Sequence, residues 1–173
     1  VDAVKMAKTE FGGLTTLVSN AVYDLPYVPI TEISTEGWMR TMDVNLNATY
    51  FFCKHAIPVI EETGGGSIIL VASQLGQVAR PGRPWYCAQK GGLINLARAL
   101  ALDHAKQNIR VNSLSPGPVE TGRYVKNFES AEEARKNNFT LMERLGSPDE
   151  IATGAVFLAS DEASFMTGTD LLI

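Results

Sequence analysis

The feature that most constrains this chain is an alternation of short, β-branched apolar runs with long helix-forming stretches. Residues 67–72 read Ser-Ile-Ile-Leu-Val-Ala, an almost unbroken apolar run of strand length. That is the pattern of a parallel strand buried on both faces. Residues 15–19 and 109–114 repeat it, and residues 169–173 begin a fourth run. Between them, Ser34 can cap a helix carrying Trp38, Met42, Val44, Leu46, Phe51, Phe52 and Ile57, with Pro58 placed to kink it and Gly64-Gly65-Gly66 to stop it. Residues 86–106 are rich in Ala, Leu, Gln and Lys and predict a long helix. Ser147-Pro148-Asp149-Glu150 is a capping box that opens another helix, running through Ala159. Residues 2–11 read as helix, and residues 121–145 as a polar, mobile segment with one or two short helices. Strands separated by helices make βαβ units. The expected architecture is therefore one α/β domain over residues 1–173, built on a doubly wound parallel sheet.

In such a sheet ligands bind beyond the carboxyl ends of the strands. Asn20, Ser73 and Pro116-Gly117 fall there. Just beyond Ser73, Tyr86 and Lys90 stand four residues apart, which puts them on one face of a helix. A lysine ammonium about 4 Å from a phenol, at an effective dielectric near 20, favours the phenolate by roughly 4 kcal/mol. Such a pair has the makings of a general acid/base. A hydroxyl thirteen residues upstream, on Ser73, could share its site. The plainer alternative is an exposed Tyr–Lys pair at a helix start.

Composition narrows the rest. With 45% hydrophobic residues and 20% charged, the chain is suited to a globular core. A net charge of −4 argues against a nucleic-acid partner, which would select a basic face. No run of the sequence is long and apolar enough to suggest a membrane span. Cys53 and Cys87 fall in helical stretches without a CxxC partner and read as free thiols, and the cytoplasm is the expected location. His55 and His104 have no acidic partners at metal or triad spacing, so no metal is assigned.

Taken in register, these segments resemble the short-chain dehydrogenase/reductase family over the whole chain. Ser19-Asn20-Ala21-Val22 takes the place of the family's Asn-Asn-Ala-Gly, and Asp43-Val44-Asn45-Leu46 that of the segment with its catalytic asparagine. Ser73 matches the catalytic serine, and Tyr86 with Lys90 the Tyr-x-x-x-Lys signature. Pro116-Gly117-Pro118-Val119-Glu120-Thr121 is similar to the loop that holds the nicotinamide end of the cofactor.

The resemblance implies a Rossmann-like fold, NAD or NADP as cofactor, a small-molecule substrate and a homo-oligomer, tetramer or dimer, packed through residues 37–62 and 86–106. It implies Asn45, Ser73, Tyr86 and Lys90 as catalytic residues. Tyr86 exchanges the proton, Ser73 orients the substrate oxygen, and Lys90 tunes Tyr86 and bonds the nicotinamide ribose. Asn45 holds a water that links Lys90 to solvent. Asn20 and Ala21 line the adenosine side, while the loop with Pro116 and Gly117 holds the nicotinamide end, where the Val119 backbone and Thr121 grip the carboxamide. The implied reaction interconverts a secondary alcohol and a ketone, with a leaning toward 3-oxoacyl-carrier-protein reductases. A non-catalytic relative of the same fold is the alternative.

Two departures stand out. The family's glycine-rich phosphate turn and the strands around it are absent from these residues, so the chain reads as a piece of a longer enzyme whose NAD or NADP preference is not legible. Val22 replaces the usual glycine and is expected to crowd or shift the cofactor ribose. Gln74, Trp85 and the 121–140 segment are expected to shape the pocket, whereas Gln89 and Cys87, inside the signature, are read as free to vary.

Overall fold

The computed structural model describes residues 2–137 and 139–173. Four parallel strands form one sheet in the order β1 (Thr16–Ser19), β2 (Gly66–Val71), β3 (Ile109–Ser115) and β4 (Asp170–Leu172). The register pairs Val18 with Ile69 and Val71 with Leu114, so the carboxyl ends of β1 to β3 come side by side. Side-chain alternation splits the core in two. Ile68, Leu70, Ile109 and Val111 face α1 (Asp2–Phe11), α3 (Ala48–Glu62) and α4 (Pro84–His104). Ile69 and Leu114 face the other way, onto Leu158 of α7 (Pro148–Ala159). Helices thus cover both faces, as the doubly wound reading requires.

Local chemistry sets the element ends. Ser34 accepts a hydrogen bond from the Gly37 amide at the start of α2 (Thr35–Met42), and Ser147 and Glu150 close the expected capping box on α7. After α3 the chain turns through Gly64 and Gly65 at φ +94° and +116°, values glycine tolerates and L side chains resist. Pro58 lies inside α3, which runs on to Glu62. The irregularity in that stretch lies earlier. Residues Asp43–Asn47 form one π-helical turn between α2 and α3, and Asn45 is at its centre. Such turns cluster at functional sites. The 121–145 stretch holds two short helices, α5 (Gly122–Val125) and α6 (Ala131–Lys136); Asn138, within it, lies outside the described residues. Among the described residues no helix is long and apolar enough to cross a membrane.

Candidate active site

A cavity of about 470 Å³ opens where the strands end, a volume suited to a small molecule. Asn20 and Val22 beyond β1, Ser73 beyond β2, and Pro116, Gly117, Val119 and Thr121 beyond β3 all line it. Tyr86 and Lys90 reach it from the first turns of α4. Ala21 is exposed and lies outside the lining.

Each member is held by identifiable contacts. Ser73 is extended (φ −173°, ψ 155°) and flanked by two anchored amides, Ala72 N–H to Leu114 O at 2.7 Å and Gln74 N–H to Pro116 O at 3.1 Å. Its Oγ accepts from the Leu75 amide at 3.2 Å, which leaves the hydroxyl proton for a ligand. The turn after it sits hard against α4. A Cβ on Gly76 would lie 2.7 Å from the Lys90 carbonyl, so glycine is what lets this turn approach the helix.

Lys90 is almost fully buried, and its Nζ donates to the Val71 carbonyl at the end of β2, at 2.6 Å. Burial pushes its pKa down to about 7, with the Arg123 cation adding to the effect and Asp24 opposing it. Nζ lies 5.6 Å from the centre of the Tyr86 ring, so the lysine is fixed by the strand end as well as by its helical spacing from the tyrosine.

The loop after β3 is braced by Gly146, whose N–H donates to Pro118 O and whose carbonyl accepts from the Glu120 amide. This bridge leaves the Val119 N–H and carbonyl out of the ladder, on the residue that faces the cavity. Thr121 caps α5 by accepting from the Tyr124 amide at 3.2 Å, and its hydroxyl proton is still available. These are groups that could grip a carboxamide. These groups, together with Asn20 and Val22 in the same lining, fit a dinucleotide.

Asn45 is buried and lies outside the cavity lining. Its carboxamide is fully engaged: Oδ1 accepts from the Tyr23 amide at 2.6 Å, while Nδ2 donates to Tyr23 O at 3.0 Å and to Gln89 Oε1 at 2.7 Å. Gln89, read from sequence as free to vary, is fully buried and also donates to Thr41 Oγ1 at 2.8 Å. Trp85 likewise belongs to the interior, edge-on to Tyr86 with ring centres 5.3 Å apart, while Gln74 does line the cavity.

Sequence reasoning missed the arginines. Arg83 and Arg123 place their guanidinium carbons 5.2 and 5.3 Å from the centre of the Tyr86 ring. Burial works against the Arg123 cation, but its bonds to Asp24 and the nearness of Tyr86 outweigh this and hold its pKa above the usual arginine value. Arg83 was findable, three residues ahead of Tyr86 at a helix start. Arg123 was not, since its partner Asp24 lies 99 residues away.

A family profile described as enoyl-(acyl carrier protein) reductase matches residues 1–173. The chain belongs to the short-chain dehydrogenase/reductase family. It is 37% identical over 171 residues to a cyclohexanol dehydrogenase of an Acinetobacter species, covering 99% of this chain and 66% of that protein. It is 38% identical over 172 residues to a 2,5-dichloro-2,5-cyclohexadiene-1,4-diol dehydrogenase of Sphingobium indicum, covering 99% and 68%. Among solved structures, aldohexose dehydrogenase of Thermoplasma acidophilum superposes with a TM-score of 0.94 at 30% identity, covering 99% of this chain and 71% of that one. The chain spans about two thirds of the length of the curated relatives it matches. The family fold is Rossmann-like, and the sheet agrees with it in topology and in helix placement.

Proposed function

We propose that this chain carries the proton-handling part of an NAD(P)-dependent oxidoreductase that interconverts a secondary alcohol and a ketone. The observation that carries the reading is the convergence of Ser73, Tyr86 and Lys90 on one cavity at the strand carboxyl ends. The cofactor, when bound, exchanges the hydride with the carbinol carbon. The protein's part is the proton and the placement. The Ser73 hydroxyl donates to the substrate oxygen and stabilises charge that develops on it. Tyr86 gives that oxygen its proton on reduction and takes it on oxidation. Lys90, anchored on Val71 O, supplies in its protonated form a cation behind the tyrosine, and a donor toward the ribose. Asn45 acts through the backbone, fixing Tyr23 beside the site. Pro116, Gly117, Val119 and Thr121 hold the carboxamide, and Asn20 with Val22 lines the adenosine side.

The relatives are named for ring alcohols and a sugar, which supports a cyclic secondary alcohol as substrate. A homo-oligomer is the favoured assembly, since Met39, Tyr50, Phe51 and Leu102 are exposed on the helical faces expected to meet. The deciding experiment is Tyr86→Phe in the full-length protein, followed by NAD(P)H absorbance against a panel of secondary alcohols and ketones. Turnover should drop by at least about a hundredfold, the low end for general acid/base catalysis. Unchanged turnover would overturn the assignment, and no turnover in the wild type would favour a non-catalytic relative.

A further inference from the structure

The charge of the cavity does not match the charge of the chain. The protein has a net charge of −4, yet the cavity lining contains Arg80, Arg83, Lys90 and Arg123 and not one carboxylate. The nearby acid is already committed. Asp24 accepts a fork from Arg123 at 2.6 Å on both oxygens and lies 3.5 Å from Lys126. Arg83 is different. Among the described residues it makes no ion pair, and its buried Nε has no hydrogen-bond partner.

The Arg83 guanidinium is nonetheless rigidly placed, stacked 3.7 Å over the Tyr27 ring. Gly82, just before it, comes close to the Tyr27 backbone, where a Cβ would lie 3.1 Å away. A half-buried guanidinium with an unused donor carries a desolvation penalty that a bound anion would relieve. Its planar fork matches a carboxylate. Its distance from the Tyr86 ring puts such a carboxylate within a few bonds of a carbon reacting at the tyrosine.

We propose that the substrate of this site is a hydroxy acid, or the corresponding keto acid, whose carboxylate is held by Arg83 within the cationic mouth formed with Arg80 and Arg123. This rests on the alcohol/ketone reading of the site. On oxidation the carbinol hydrogen leaves as hydride to NAD(P)+ and the hydroxyl proton passes to Tyr86, giving the keto acid. The carboxylate takes no part in the bond changes and fixes the orientation of the carbinol carbon.

The test uses the full-length protein and two matched pairs. 4-Hydroxycyclohexanecarboxylate and cyclohexanol are compared in turnover. Cyclohexanecarboxylate and cyclohexanecarboxamide, which cannot be oxidised at a carbinol, are compared in equilibrium binding. The wild type should prefer the acid of each pair. Arg83→Gln should lower kcat/KM for the hydroxy acid roughly ten- to a hundredfold more than for cyclohexanol, the range for one charge-assisted hydrogen bond. It should also abolish the preference for the carboxylate in binding, and Arg83→Lys should restore part of it.

Three results would overturn the proposal. Equal losses on both alcohols would mean Arg83 acts on Tyr86 and not on a substrate anion. A raised Kd for the dinucleotide with unchanged acid preference would assign Arg83 to a cofactor phosphate. Equal wild-type binding of carboxylate and carboxamide would remove the anion site. Failure to oxidise any alcohol, with carboxylate binding intact and dependent on Arg83, would refute the redox reading and leave the anion site standing.

Discussion

The Gln89 side chain offers the sharpest test of how the site is supported. It touches no part of the cavity, yet it bridges Thr41 and Asn45 with hydrogen bonds of 2.8 and 2.7 Å, and all three side chains are buried. Gln89→Leu keeps the length and apolar stem while deleting both bonds. Each net bond is worth about 1 kcal/mol, and the Asn45 amide proton left without a partner costs about 1–3 kcal/mol more. Thr41 loses less, because its hydroxyl still donates to the Trp38 carbonyl at 2.7 Å. Allowing for the apolar contacts leucine gains, the variant should be destabilised by about 2–4 kcal/mol. With a urea m-value of about 2–3 kcal/mol/M, the unfolding midpoint should fall by about 1 M at fixed protein concentration. Thr41→Val removes only one end of the bridge and should cost less. The double variant should cost about 1 kcal/mol less than the sum of the singles, because the shared bond is lost once. The kcat of Gln89→Leu should fall too, since Asn45 then holds Tyr23 less firmly. A midpoint equal to the wild type, or strictly additive single and double variants, would refute the view that this bridge holds Asn45 in place.

Two further outcomes follow from the same contacts. Gly76→Ala drives a methyl into the Lys90 backbone, which cannot move aside cheaply, so stability should fall by about 1–3 kcal/mol and kcat with it; an active, wild-type-like variant in urea unfolding would contradict the close approach. Lys90 titrates near 7 when folded and near 10.5 when free, so between these values the unfolded chain binds more protons and this group makes stability rise with pH. Lys90→Met should remove that rise, which amounts to at most about 5 kcal/mol over the whole interval and about 3 kcal/mol between pH 7 and 9.5, where urea midpoints would show identical slopes if the burial argument is wrong.

Much of the frame was legible because it rests on neighbours in sequence. The strand expected at residues 67–72, the Ser34 cap and the capping box at Ser147 depend on side-chain period and on hydrogen bonds spanning three residues; both caps stand where the pattern placed them, and the strand, at Gly66–Val71, within one residue of it. Tyr86 and Lys90 share a helix face for the same reason. The irregularity before α3 shows the limit. Pro58 announces itself in the sequence, but the π turn at Asp43–Asn47 does not, and the Asn45 carboxamide at its centre finds its partners far along the chain, on Tyr23 and Gln89.

By itself, then, the sequence determined the alternation of strand and helix, the parallel sheet and the family, because periodicity, caps and a spaced signature act over a few residues. Only the tertiary structure decided which polar groups are already satisfied. Ala21 turned away from the cavity, Asn45 was taken up by a backbone segment, and Gln89 became a buried brace. It also decided the charge at the reaction centre. Arg83 stacks on Tyr27 from a separate loop, and Arg123 is steered to Tyr86 by an aspartate 99 residues away. Contacts of that kind depend on how loops from different strands meet at the sheet's edge, and no local pattern in the chain encodes them.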